Sequence, residues 1–310
     1  MLLITGYSGF VGSLLVQVLK NEYSLNLLGR EDSQLGTFFK HDIDGVSNYS
    51  SALNMVNTVI HIAARVHVMN ENSKKSLEQF RAVNTEGTLN LARQAAAAGV
   101  KRFIFVSSIK VNGESTSDED PFTSANLAKP VDSYGLSKAE AELLLLELGA
   151  KTGMEIIIIR PPLIYGQGVK ANFASLMGLV GKGLPLPFRS IKQNRRSLVS
   201  VYNLIDLIKV CIGHPNAANQ IFLVSDDYDL STAEMVALMA KVQGKKNLAF
   251  PIPVWCFKLV GKLLNKTEVI DRLTGSLQLD ITHTKNTLNW IPPYSVEHGF
   301  TLAAKKPSIK

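Results

Sequence analysis

The segment TGYSGFVG, residues 5–12, constrains this chain more than any other. It follows a short apolar run, LLIT (2–5), and leads into VGSLLVQVLK (11–20), whose apolar residues recur at helical spacing. Gly6, Gly9 and Gly12 stand in the order GxxGxxG. The first permits a tight turn, the second lets backbone approach a pyrophosphate, and the third lets the helix pack against the strand. Free N–H groups and the dipole at the helix N-terminus then favour an anion. Together with Phe10 and Val11, these glycines form the candidate cofactor-phosphate site. A glycine triplet alone is a weak signal. Its place between a strand and a helix makes it a strong one.

The rest of the first half repeats this texture. LNLL (25–28), TVIHIA (58–63), RFIFVS (102–107) and EIIIIR (155–160) read as strands. They are continuously apolar rather than alternating, as in a parallel sheet covered on both faces. Between them lie helical stretches, NTEGTLNLARQAAAAG (84–99) and SKAEAELLLLELGAKTG (137–153), and Gly99 and Gly153 suit helix stops. The order predicts an α/β fold, a Rossmann doubly wound parallel sheet. After residue 160 Pro and Gly become frequent, as in RPPLIYGQG, GKGLPLPF, FPIPVW and WIPPY. The expectation is a dinucleotide-binding domain over residues 1–165, with part of 198–225 returning to it. A smaller C-terminal α/β substrate domain is expected from residues 166–197 and 226–310. The tail KKPSIK (305–310) is expected to fray.

A hydrophobic share of 46% with 19% charged residues excludes a disordered chain. The net charge of +7 favours anionic partners. The basic residues are scattered, however, with pairs at Lys74-Lys75, Arg195-Arg196 and Lys245-Lys246 and no interleaved aromatics, so nucleic acid is not an expected partner. Cys211 and Cys256 fit neither a disulfide framework nor a metal knuckle, and the six histidines lack ligand spacing. No metal is expected, and a reducing cytoplasm is the expected compartment. No run reaches the roughly 18 apolar residues of a membrane span. MLLITG lacks the features of a signal peptide. The segment FPIPVWCFKLVGKLLNK (250–266) is apolar with three lysines. It reads as a packed helix of the smaller domain, entered through two prolines, with a helix lying on a membrane surface as the alternative.

FIFVSSIKVNG (103–113) puts Ser107 and Ser108 at the C-terminal end of a strand, the edge where open α/β sheets bind ligands. In YGLSK (134–138), Tyr134 and Lys138 are four apart and share a helix face. An unaided tyrosine titrates at about pH 10, and a nearby ammonium favours the phenolate. Tyr134 can then exchange a proton with a sugar hydroxyl or carbonyl at neutral pH, with Lys138 lowering its pKa. Ser108 can hold the same substrate oxygen by a hydrogen bond.

These motifs, with HDID (41–44), VIHIAA (59–64), NTEGT (84–88), SSIKVNG (107–113), RPPLIYG (160–166), RRSLVSVYNLIDL (195–207) and LNWIPP (288–293), give a resemblance over nearly the whole chain. The chain resembles an extended short-chain dehydrogenase/reductase of the nucleotide-sugar epimerase/dehydratase/reductase group. The resemblance implies a Rossmann domain for NAD or NADP and a second domain for a nucleoside-diphosphate sugar. It implies Ser108, Tyr134 and Lys138 as the catalytic triad, Asp42 and Ile43 beside the adenine, and Ala63 and Ala64 along the cofactor cleft. It places Asn172, Leu186, Arg196 and Arg272 at the nucleotide diphosphate, with Arg195 as a rival for Arg196. It also implies a homodimer built from two long helices per subunit, here residues 84–98 and 134–152.

The sequence departs from the family in two places. Where the dehydratases carry Asp and Glu after the catalytic Ser/Thr, this chain has Ile109 and Lys110, which argues against a 4,6-dehydratase. At the end of the second strand, NLLGRED (26–32), an expected acid is replaced by Arg30. A guanidinium suits a 2′-phosphate, so NADP(H) is favoured over NAD(H), although Glu31 or Asp32 can supply the acid from the loop. A reductase consumes a cofactor that must come and go. IAARVHVMNE (62–71) further resembles bacterial reductases of UDP-4-keto-6-deoxy-N-acetylhexosamines that serve surface-polysaccharide synthesis. The leading expectation is therefore an NAD(P)-dependent 4-ketoreductase acting on a UDP-linked hexose or N-acetylhexosamine. A UDP-glucose or UDP-N-acetylglucosamine 4-epimerase is the alternative. A cofactor-sensing binding protein without chemistry is a distant third.

Overall fold

The computed structural model describes residues 1–66, 73–117, 120–169 and 171–305. Part of IAARVHVMNE and the tail after residue 305 therefore lie outside the described residues. The strands are β1 (Leu2–Thr5), β2 (Leu25–Gly29), β3 (Thr37–Lys40), β4 (Thr58–His61), β5 (Arg102–Val106), β6 (Glu155–Arg160), β7 (Leu163–Tyr165), β8 (Leu198–Ser200) and β9 (Gln220–Leu223). The first half carries helices α1 (Phe10–Leu19), α2 (Ser50–Leu53), α3 (Ser73–Phe80), α4 (Thr88–Ala97) and α5 (Ser133–Thr152). The second half carries α6 (Ala171–Gly181), α7 (Val201–Gly213), α8 (Thr232–Val242), α9 (Val254–Leu263), α10 (Thr267–Thr274), α11 (Thr282–Leu288) and α12 (Val296–Ala304).

Among the described residues, seven strands form one sheet in the order β3-β2-β1-β4-β5-β6-β9, and every pairing is parallel. β1, β4 and β5 are buried at every position, because helices cover both faces. One face is sealed by α1 and α7, with Leu15, Leu19, Leu204 and Ile208 packed on Ile4, Ile60 and Ile104. The other is sealed by α2, α4 and α5, with Leu53, Leu91 and Leu145 packed on Leu3, Phe103 and Ile156. A third apolar cluster joins Phe173 and Met177 of α6, Val236 and Met239 of α8, and Phe300 of α12 around Tyr165. The chain runs outward from β1 to β3 and then crosses back to β4. The sheet order thus reverses beside β1, which opens a crevice at the C-terminal ends of the strands.

The α/β expectation holds, with local differences. β4 and β5 stop one or two residues short of the predicted strands, where the chain turns into the crevice. The stretch expected as one helix over 84–99 enters through a π-helical turn, Arg81–Gly87. Asp132 caps α5 by accepting from the Gly135 amide, and Gly153 ends the helix with φ +78°. The segment 250–266 forms α9, entered through Pro251 and Pro253 and packed by one face on α10 and Phe188, while its other face is exposed.

Candidate active site

The glycine turn is sterically closed to other residues. Gly6 has φ +71°, and a Cβ there would lie 2.6 Å from the Ala63 nitrogen. A Cβ at Gly12 would overlap the Gly6 carbonyl. Gly9 stands at the N-cap of α1 and its side-chain position offers no cap, so the first amides of the helix are left for another acceptor. The crevice above this turn is a cleft of about 730 Å³. Gly6, Gly9, Phe10, Val11 and Gly12 line it beneath, Arg30, Asp42 and Ile43 line it on the β2–β3 side, and Ala63 and Ala64 follow β4. Ser108, Tyr134 and Lys138 line its β5 side. The sequence motifs far apart in the chain therefore meet in one cleft. Arg30 is exposed at its lip, and the neighbouring loop is held by the Tyr7 hydroxyl, which donates to the Glu31 carbonyl.

Tyr134 and Lys138 stand one turn apart on α5. Lys138 is fully buried, donates to the Val106 carbonyl at 3.0 Å, and sits over the Phe105 ring at 4.3 Å from its centroid. Burial pushes its pKa down to about 7, against a smaller upward pull from Glu142. Glu142 is itself tied to Arg160 in a buried ion pair, and Arg160 also donates to Asn112. Tyr134 has its pKa pushed up to about 12, by burial first and the Asp132 carboxylate second, while a hydrogen bond with Ser108 pulls it down. The expected lowering of Tyr134 by Lys138 is thus not found: burial dominates both groups, and it disfavours each charged form.

Sequence reasoning passed over two supports of this trio. Asn84 is fully buried in the π-helical turn. It donates to the Arg65 carbonyl and to Ser137 Oγ, both at 3.0 Å, and accepts from the Arg65 amide at 2.8 Å. It therefore locks the loop after β4 to the helix bearing Tyr134 and Lys138. Lys110 is the second support. Its ammonium pairs with Glu114 at 2.7 Å and with Asp132, the cap of α5. Ile109 is buried. Neither residue offers the acid/base pair of a dehydratase.

Of the four residues assigned to the nucleotide diphosphate, two come together. Arg196 is held by backbone pairing with Leu230 and donates to the Gly275 carbonyl at 3.2 Å. Its pKa is lowered by burial and by the adjacent Arg272 guanidinium, with Glu114 opposing. The two guanidiniums are near enough to repel one another, a repulsion that a bound anion would relieve. Arg195 turns elsewhere, to the Lys192 and Asn194 carbonyls and toward Glu234. Asn172 is exposed on α6. The Leu186 side chain belongs to the third apolar cluster, and its carbonyl accepts from Phe250. Its side chain thus serves the core rather than an open pocket.

The cleft suits an extended dinucleotide. The glycine cradle admits a diphosphate, and Ser107 Oγ is buried in the wall with no partner among the described residues. Tyr134 and Lys138 would hold the nicotinamide end, and the glycine turn the diphosphate.

The model of a family described as NAD dependent epimerase/dehydratase matches residues 2–225. The chain is 51% identical over 311 residues to a UDP-glucose 4-epimerase of Vibrio cholerae, covering 98% of this chain and 94% of that protein. It is 26% identical to the N-acetyl-alpha-D-glucosaminyl-diphospho-ditrans,octacis-undecaprenol 4-epimerase of Escherichia coli O157:H7, over 96% and 92% of the two chains. In fold it is similar to a UDP-glucose 4-epimerase from Thermotoga maritima solved with UDP-glucose (TM-score 0.77, 20% identity, 98% and 97% coverage). It is also similar to a UDP-glucuronic acid 4-epimerase from Bacillus cereus solved with NAD (TM-score 0.78, 18% identity, 98% and 97% coverage).

Proposed function

This chain belongs to the NAD dependent epimerase/dehydratase family, and on that premise we propose that it is a UDP-hexose 4-epimerase that works with NAD. The observation that carries the reading is the 51% identity, over almost the full length, to a UDP-glucose 4-epimerase. The expectation of a 4-ketoreductase finds no such support. Its physical argument was the Arg30 preference for NADP(H), whereas the Bacillus cereus 4-epimerase that this chain resembles in fold was solved with NAD. An epimerase regenerates its cofactor in each cycle and has no need to exchange it with a reduced pool.

A nicotinamide bound in the cleft supplies hydride chemistry at C4 of the sugar. The residues of this chain do the rest. Tyr134 takes the proton of the 4-hydroxyl and returns it, and Ser108, which lines the cleft beside it, holds the same oxygen. Lys138, fixed on the Val106 carbonyl, stands at the nicotinamide end, and in its protonated form it would favour the phenolate. Arg196 and Arg272 hold the UDP diphosphate, with residues 166–197 and 226–310 forming the sugar-nucleotide side. Ile109 and Lys110 leave the C5–C6 bond untouched.

The test is incubation of the purified protein with UDP-glucose, with product identification by NMR. UDP-galactose formed without added cofactor supports the epimerase. Absence of epimerisation, together with loss of absorbance from NADPH on adding a UDP-4-keto sugar, would establish the reductase instead.

A further inference from the structure

We propose that the outer face of α9, Trp255, Leu259 and Leu263 flanked by Lys258 and Lys262, docks on the surface of a bilayer bearing anionic headgroups. The proposal does not depend on the reaction assigned above. α9 is anchored by its inner face alone. Phe257 stacks on Phe188, and Gly261 is so close to α10 that a Cβ would meet Ile270 Cγ1 at 2.6 Å. That close crossing turns the opposite face outward. Trp255 is 66% exposed, Leu259 52% and Leu263 75%, and they recur every four residues, so they form one stripe. Leu264 and Val260 extend the stripe, and the segment before the helix also exposes Leu248 and Phe250. A contiguous apolar surface of this kind marks a contact site.

The charge around the patch decides what covers it. Residues 242–267 carry five lysines, Lys245, Lys246, Lys258, Lys262 and Lys266, and no carboxylate. Glu268 and Asp271 follow on α10, and Glu268 faces Arg272 at 3.6 Å. A second copy of this chain docked about a two-fold axis would bring the same lysines face to face and repel. An anionic bilayer accepts both parts of the pattern: the tryptophan and leucines enter the headgroup boundary, and the lysines extend along their stems to the phosphates. No helix among the described residues is long and apolar enough to cross a membrane, so the contact is peripheral.

The experiment is co-sedimentation of the full chain with vesicles of phosphatidylcholine, alone or mixed with phosphatidylglycerol. The protein should sediment with the mixed vesicles only, and high salt should weaken the binding. The Trp255 emission should shift to the blue as it binds. Leu259→Glu with Leu263→Glu should abolish sedimentation, and Lys258→Glu with Lys262→Glu should reduce it by at least about tenfold. Turnover of a soluble UDP-sugar should be unchanged in both variants, which shows that they fold. Absence of binding to mixed vesicles, or binding that survives both pairs of substitutions, overturns the proposal. So does light scattering in which the leucine variant converts a dimer to a monomer while no variant touches lipid.

Discussion

Lys138 donates to the Val106 carbonyl, 3.0 Å away, from inside the protein. The bond joins α5 to the end of β5, where Ser107 and Ser108 begin. Its consequence is measurable through pH. The folded pKa of about 7 lies below the ordinary 10.5. Between these values the unfolded chain takes up a proton that the folded protein refuses. Stability therefore falls as pH drops from about 10.5 to 7 and levels off below. Lys138→Met removes the group. After bound nucleotide is stripped from both proteins, its urea midpoint should exceed that of the wild type near pH 7, with the advantage shrinking toward pH 9.5. A difference that stays constant with pH sinks the assignment. Turnover should fall by roughly 10²–10⁴ in the same variant.

Asp132 both caps α5 and raises the pKa of Tyr134. Asp132→Asn keeps an acceptor for the Gly135 amide but removes the charge. The pKa of Tyr134 should fall, so the rise of rate with pH should move to lower pH while the melting temperature changes little. Asp132→Ala should instead lose about 1 kcal/mol of stability with the cap. A pH profile that stays in place in Asp132→Asn would falsify the electrostatic role.

The arginine pair separates binding from chemistry. Arg196→Ala or Arg272→Ala should raise KM for the UDP-sugar about tenfold to a hundredfold, as expected for losing a charge-assisted bond of roughly 1.5–3 kcal/mol, with kcat less affected. Arg195→Ala should leave KM unaltered, because its guanidinium is occupied by Lys192 and Asn194. Equal KM values for all three variants would remove the diphosphate from this site.

The cofactor can be read directly. Protein purified without added nucleotide and then denatured should release NAD, identified by chromatography. Arg30→Ala should not change which nucleotide is released. Recovery of NADP, lost in Arg30→Ala, would restore the reading of Arg30 as a phosphate ligand and with it the reductase.

Much of this arrangement is legible in the sequence, for a physical reason. Strands buried on both faces must be apolar throughout, so LLIT, RFIFV and EIIIIR announce themselves. β3 does not: TFFK lies at the sheet edge with no fully buried residue and carries only two apolar side chains. β9 is four residues long and pairs with β6 from some sixty residues away, a distance at which local pattern is silent. In the site, the glycines and YGLSK are readable because backbone approach and helix spacing restrict which residues can serve. Asn84 was hidden because its role lies in a π-helical turn that no local pattern indicates. The sign of the Tyr134 shift was missed because spacing reports the neighbouring Lys138 but not the burial of both. The exposed stripe of 250–266 is not legible, because an apolar helix face turned outward has the same composition as one turned in.

The late arrival of β9 bears on synthesis. Six strands of the sheet are complete by residue 160, but the seventh is not made until residue 223. Until then one side of β6 presents the unpaired amides and carbonyls of EIIIIR, an isoleucine run suited to pairing with a strand of another chain. A nascent chain that stalls within residues 163–219 therefore holds a nearly finished nucleotide cleft on a sheet with an adhesive edge. A chain released at that point should aggregate more readily than one stopped after residue 225, in which β9 can cover that edge.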